Sequence, residues 1–193
     1  MFRVNKWLLP NGEKKWTEEE RGNTAKKTTT KQVWFPGWHG DVGGGWPEEK
    51  SGLAKHALTW MVEEAKAKGL MIDDHVFKRI CLGTEKSIGI LMEKDVEPQP
   101  PNALADINNS LTLPWWPLEL FPRRSRWKEW APRWSFLGAY IPWAEPRSIP
   151  SDNDLHFSVK ERMMGLPGYR PPNLMAYLKE TGMPIPGETK KQK

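Results

Sequence analysis

Val33-Trp34-Phe35-Pro36-Gly37-Trp38-His39-Gly40-Asp41-Val42-Gly43-Gly44-Gly45-Trp46 is the stretch on which the reading of this chain turns. Three β-prone residues, Val33, Trp34 and Phe35, run into a Pro36-Gly37 turn. The turn delivers a histidine, an aspartate two residues on, and then three consecutive glycines. That order predicts a short strand, a break, a polar pair and a flexible loop, the way α/β proteins present a reactive side chain at the end of a sheet. The span 53–70 follows with the strongest helical period in the chain. Strand, glycine-rich loop and helix make half of a parallel α/β unit, so the predicted fold class is α/β.

Residue chemistry narrows what the block does. A glycine-rich strand-to-helix loop can cradle phosphate, but neither G-x-G-x-x-G nor G-x-x-x-x-G-K-[ST] can be read here, and no lysine follows the glycines. His39 and Asp41 alone are too few to ligate a metal, and no second His/Asp/Glu cluster lies at ligand spacing nearby. The reading therefore calls for no cofactor and no metal. Two roles stay open for His39. It is a general base, imidazole being the side chain that takes and returns a proton near neutral pH, or it is a loop histidine that only hydrogen-bonds its own turn.

Trp34-Phe35-Pro36-Gly37-x-His39-x-Asp41-Val42-Gly43-Gly44-Gly45, with Leu58-x-Trp60-Met61-Val62-x-Glu64-Ala65 behind it, resembles the phospholipase-like α/β-hydrolase domain first described in type VI secretion effectors and also widespread in fungal proteins. The block is long and unusual in composition. The resemblance implies that His39 is the histidine of a Ser-Asp-His triad, with an ester or phospholipid as substrate. Downstream echoes are Asn109-Ser110-Leu111 with Trp115-Trp116-x-Leu118-Glu119-x-Phe121-Pro122-Arg123-Arg124, then Pro146-Arg147-x-Ile149-Pro150, His156-x-Ser158-Val159-x-x-Arg162 and Tyr169-Arg170-Pro171-x-Asn173-Leu174.

The departures define how much of such a domain is expected. The family's serine sits in a G-x-S-x-G elbow before this block, and none of the 38 residues ahead of His39 reads as an elbow. Glu85-Lys86-Ser87-Ile88-Gly89 lacks the first glycine and follows the histidine. The family's aspartate has no counterpart, and Asn108-Asn109-Ser110-Leu111 stands where His-Asp-Ser-Leu is expected. The resemblance thus implies the C-terminal part of an α/β-hydrolase-like fold, over residues 33–178, with a Trp/Pro-rich irregular region. Residues 1–32 read as a polar N-terminal segment and 179–193 as a disordered basic tail. The competing function is a non-catalytic product of a truncated hydrolase, acting as an interaction or lipid-surface-binding module.

Composition sets the bounds. Over 193 residues, a hydrophobic share of 38% interrupted by 18 prolines predicts a packed middle and long irregular stretches. A single cysteine, Cys81, excludes an internal disulfide framework and suits a reducing, cytoplasmic compartment. No apolar run is long enough to span a membrane, and the N-terminus lacks a secretory apolar region. A net charge of +5 without a patterned basic face gives no reason to expect nucleic acid. Oligomeric state is not legible.

Along the rest of the chain, residues 2–9 read as an edge strand and Thr17-Glu18-Glu19-Glu20 as a brief helix start, followed by a basic connector over 26–31. In the helix over 53–70, Leu53, Ala57, Met61 and Ala65 form the apolar row, widened by Ala54, Leu58 and Trp60. Ser51 is its expected N-cap and Gly69 its C′ residue, while Lys55 and His56 fall on the solvent face. A second helix begins at Asp73 or Asp74, buries Cys81 and ends at Gly83. A helical region over 104–120 is broken by Pro114 and Pro117. Trp127, Trp130, Trp134 and Trp143 are read as core, or else as a lipid-facing surface with Arg123, Arg124 and Arg126 beside it. Asp154 caps a short helix carrying Val159 and Met163, with His156 as a second-shell or packing residue. Residues 168–174 read as extended, and the chain from Gly182 on as disordered.

Overall fold

Helix formation follows the predicted period most closely just after the glycine-rich block. The computed structural model describes residues 31–85, 97–109, 111, 116–124 and 135–187. In order these form β1 (Val33–Trp34), α1 (His39–Gly43), a 3₁₀ turn (Glu48–Lys50), α2 (Gly52–Lys66), α3 (Asp74–Ile80), α4 (Trp116–Leu120), β2 (Arg123–Arg124), β3 (Ala139–Tyr140), β4 (Asp154–Leu155), α5 (Phe157–Gly165) and α6 (Pro172–Thr181). Helices and small sheets are mixed, in keeping with an α/β character. The sheets described are two two-stranded pairs, β1 with β4 and β2 with β3. The expected strand–loop–helix half-unit is therefore altered: β1 is two residues long, and the first part of the predicted loop is a helix.

The chain divides into two compact units. Of the described residues, one unit comprises 35–85, 97–109, 111, 155–170 and 186–187, and the other 31–34, 116–124, 135–154 and 171–185. In the first, α2 ends as the sequence predicts. Leu70 N–H donates to Ala65 C=O and Gly69 N–H to Lys66 C=O, with Gly69 at φ +97, a Schellman closure. Its start differs. Ser51 is the flanking residue, but its hydroxyl donates to Glu48 C=O at 2.7 Å instead of accepting a first-turn N–H.

Burial on α2 also runs along the axis rather than around it. Leu53 and Ala57 are buried, as expected, yet so are Lys55 and His56, whereas Met61 is 59% exposed. Residues 52–57 are all buried or half-buried, and Leu58 is exposed. Gly52 C=O accepts from Asn102 N–H, and the His56 ring lies 5.6 Å from Phe157 and 5.7 Å from His156. The expectation of a solvated His56 is thereby corrected.

Helix α3 matches its prediction. The Asp73 carboxylate accepts from His75 and Val76 N–H at the start, and Gly83 takes φ +62 beyond the end. Its last carbonyls are satisfied from α2, Ile80 by Lys55 Nζ at 2.6 Å and Cys81 by Thr59 Oγ1 at 3.2 Å. Lys55 also pairs with Glu48 at 2.7 Å, and Glu48 takes the Gln99 N–H at 2.8 Å. Cys81 is buried, and burial raises its thiol pKa against an opposing pull from Lys55. It is a small core residue, as its stripe predicts.

Helix α5 begins later than predicted, at Phe157, and is capped by His156, because Asp154 is drawn into β4. Arg162, on its buried side, donates to Ala103 C=O at 2.6 Å and Ala105 C=O at 2.7 Å and stacks over Tyr169. The segment around 102–108 is thus pinned by α5.

In the other unit, α6 begins at Pro172 and so takes up the last three residues of the extended segment predicted over 168–174. Pro172 at its start fits a first turn that needs no N–H there, and Gly182 closes the end at φ +68. Leu174, Tyr177 and Leu178 are buried, and Tyr177 donates to Asn153 C=O at 2.8 Å. Of the helical region predicted over 104–120, only Trp116–Leu120 is helical among the described residues. In the first unit, Arg170 Nη2 donates to Pro186 C=O at 3.1 Å. Readings placed on 2–9, 17–20, 26–30, 86–89, Trp127, Trp130, Trp134 and 188–193 lie outside the described residues. Among the described residues no helix is long and apolar enough to cross a membrane.

Candidate functional site

Helix α1 is one and a half turns long and cannot stand on its own hydrogen bonds. What fixes it is Asp41. Its N–H donates to Trp38 C=O at 2.9 Å while its Oδ2 accepts the Trp38 N–H at 2.8 Å, a reciprocal closure at the helix start. The side chain is 1% exposed. Asn108, 67 residues away, donates its backbone N–H to both carboxylate oxygens at 3.2 Å and its Nδ2 to Oδ1 at 2.8 Å. The same amide reaches Lys50 C=O at 3.1 Å. A buried carboxylate needs this many donors to offset the loss of water.

Two glycines make the closure possible. Gly37 has φ +113, and a Cβ there would run into the Asp41 side chain. At Gly40 a Cβ would meet the Trp46 indole nitrogen. The three glycines singled out for the loop are placed differently. Gly43 ends α1, Gly44 and Gly45 take φ +80 and +99, and all three have open space where a Cβ would sit. The Asp41 carboxylate therefore accepts from Trp38 before it and Asn108 far along the chain, rather than from the glycines that follow.

His39 is the first residue of α1 and is exposed. It is presented on the surface by a turn whose base is locked. Asp41 is turned inward, its oxygens accepting from the amides of Trp38 and Asn108.

His156 lies in the same unit and serves packing and capping. Its Nδ1 is 2.8 Å from Ser158 Oγ, its ring packs on Phe35 at 4.5 Å and Phe157 at 4.2 Å, and burial with the neighbouring His56 lowers its pKa to about 4. Ser158 is fully buried, so this Ser–His contact has no face a substrate can reach. Among the described residues no group of three or more His, Cys, Asp or Glu side chains is placed to hold a metal.

Sequence reasoning missed the part played by Asn108. Its position was marked only as a departure from an expected His-Asp-Ser-Leu, and nothing local reveals a partner 67 residues earlier. Arg162 lies in one of the downstream echoes, and its two hydrogen bonds to the Ala103 and Ala105 carbonyls give that echo an architectural meaning.

The geometry is that of a histidine-presenting turn clamped from beneath by a carboxylate. Residues 2–64 match the model of the catalytic domain of Tle1-like phospholipase effectors of the type VI secretion system, so the match covers the turn, α1 and most of α2. The chain is also 25% identical, over 227 aligned residues, to the uncharacterized protein YEL023C of Saccharomyces cerevisiae. That alignment takes in 86% of this chain and 33% of the yeast protein, so the chain spans about a third of the length of this curated relative. No solved structure matches.

Proposed function

We propose that this chain carries the histidine-bearing part of a phospholipase-like serine ester hydrolase with an α/β-hydrolase-like domain, and that His39 is its general base and acid. A serine on a segment outside the described block attacks the ester carbonyl. His39 takes the hydroxyl proton and returns it to the departing alcohol. The carboxylate that orients the imidazole is not Asp41, whose oxygens are spent on Trp38 and Asn108. Supporting this reading above all is the pairing of an exposed His39 with a buried, fully satisfied Asp41 inside the segment that matches a phospholipase catalytic domain. So costly a clamp beneath a surface histidine fits a group that must be held in register.

Intact-mass detection of a fluorophosphonate adduct tests the proposal. The 193-residue chain alone is expected to give none, native and denatured samples behaving alike. Combined with a segment that supplies a G-x-S-x-G serine, it is expected to label, with labelling reduced on the order of 10³-fold in His39→Ala. Labelling indifferent to His39→Ala removes the histidine from catalysis and leaves the non-catalytic interaction module as the better reading.

A further inference from the structure

Arg162 places a full charge inside the fold and meets it without a counter-ion. It is 4% exposed, and among the described residues no carboxylate pairs with it. Nη1 alone donates to two carbonyls, Ala103 at 2.6 Å and Ala105 at 2.7 Å. Nε has no acceptor, and the guanidinium lies 4.9 Å over the Tyr169 ring. Burying a cation on neutral partners is costly, and a neutral donor would pin a loop to α5 at less expense. The cost directs attention to what the loop itself holds.

That loop is anchored at both ends. Asn102 N–H donates to Gly52 C=O at 2.9 Å, its Oδ1 takes the Leu104 N–H at 2.9 Å, and its carbonyl takes the Ala105 N–H at 3.3 Å. Gly52 permits the close approach, since a Cβ there would lie 3.2 Å from Ala105 Cβ and 3.3 Å from Asn102 Cβ. Three residues after Ala105, Asn108 gives its backbone and side-chain amides to Asp41, and Asp41 takes the N–H of Trp38, the residue before His39. Tyr169 approaches the same carboxylate. Burial raises the pKa of its hydroxyl, Arg162 opposes the rise, and Asp41 adds to it, so the hydroxyl lies within the field of that carboxylate.

We propose that Arg162 is a positioning residue for His39. By fixing the Ala103 and Ala105 carbonyls it sets where Asn108 meets Asp41, and so the register of the turn that presents the imidazole. This role rests on the ester-hydrolase reading for what His39 does, while the path from Arg162 to Trp38 can be measured without any serine. A residue that only packs α5 matters equally to all that α5 supports. A positioning residue matters most at the Asp41 clamp, and only while Asn108 is there to transmit its effect.

Amide hydrogen exchange followed by NMR on the 193-residue chain tests it, with the Trp38 N–H reporting on the clamp and residues 59–63 of α2 as the reference. Arg162→Met keeps the packing of the stem and removes both donors. It is expected to speed exchange at Trp38 about ten-fold and to leave the reference amides within about two-fold of the parent. In an Asn108→Ala background the same substitution is expected to add less than about two-fold at Trp38. Unchanged exchange at Trp38, equal acceleration of the reference amides, or a full effect without the Asn108 side chain overturns the proposal. If Arg162→Met does not fold, Tyr169→Leu, which removes the ring under the guanidinium, carries the test with about three-fold faster exchange at Trp38, and no change there overturns it. In the serine-supplied assembly, Arg162→Met is expected to lower the maximal rate of fluorophosphonate labelling about ten-fold at unchanged half-saturation by the reagent. A maximal rate equal to the parent's also overturns the proposal. A parent assembly that never labels ends the ester-hydrolase reading instead, and the exchange result stands apart from it.

Discussion

Asn108 closes the underside of the histidine turn by donating its Nδ2 to Asp41 Oδ1 at 2.8 Å across 67 residues of chain. Asp41→Ala leaves the Trp38 and Asn108 backbone N–H groups without their acceptor in a part-buried site, the Asn108 side chain keeping only Lys50 C=O, and is expected to cost about 3 kcal/mol. Asn108→Ala keeps the backbone donor and is expected to cost about 1–2 kcal/mol. Urea denaturation of the two variants orders them. Equal midpoints for Asp41→Ala and the parent would show that the clamp bears no weight.

Gly37 and Gly43 lie on either side of the same turn and are predicted to respond in opposite ways to alanine. At Gly37 the positive φ and the Asp41 side chain both oppose a Cβ, so Gly37→Ala is expected to lose about 2–4 kcal/mol. Gly43 closes α1 with open space around it, and Gly43→Ala is expected to be neutral or to gain up to about 1 kcal/mol. Thermal melts of the pair decide. A Gly37→Ala variant as stable as the parent would mean that the turn relaxes freely.

Legibility followed the range of the interactions. The caps of α3 and the Schellman end of α2 were readable because Asp73, Gly69 and Gly83 act on their own neighbours. The turn at Pro36-Gly37 was readable from one unbroken block. What escaped notice is long-range: Asn108 under Asp41, Lys55 under Ile80, Arg162 under Ala103. Polar residues at those positions look solvated when periodicity is the guide, because periodicity cannot report a buried partner. Trp143 failed differently. Indole fits a core or a boundary equally well, and only the left-handed turn at 143–144 turns it outward.

Stability is expected to fall on acidification because of the His56–His156 pair. Burial lowers both pKa values, with Glu161 opposing the shift at His56, and His156 is brought down to about 4. Between that value and the ordinary 6.5 the unfolded chain binds more protons than the folded one, so stability is full above about pH 6.5 and drains away toward pH 4. The part due to His156 is about 2 kcal/mol, less than the whole shift implies because the ring is partly solvated. The exposed His75, raised by Glu85, acts with the opposite sign, its contribution fading as pH rises through its folded value. Melts at pH 7 and 4.5 should differ less in His156→Asn, which keeps a capping side chain and removes the titration. An unchanged acid limb in that variant would move the effect to other groups.

Lys55 gives the most demanding prediction, because its charge sits inside the fold. Its ammonium holds both Glu48 at 2.7 Å and the last carbonyl of α3, Ile80, at 2.6 Å. Lys55→Met strands a partly buried Glu48 and leaves the Ile80 carbonyl without that donor, and is expected to cost about 3 kcal/mol. Glu48→Gln keeps an acceptor for the Gln99 N–H and is expected to cost less. The double variant should recover part of the Lys55→Met loss, since removing the second charge cancels the stranded-charge term but not the lost carbonyl bond. A double-mutant cycle by chemical denaturation measures the coupling, expected at about 1–3 kcal/mol. Strict additivity would mean that Lys55 acts on Ile80 alone, and that the Glu48 contact contributes nothing to holding α2 against α3.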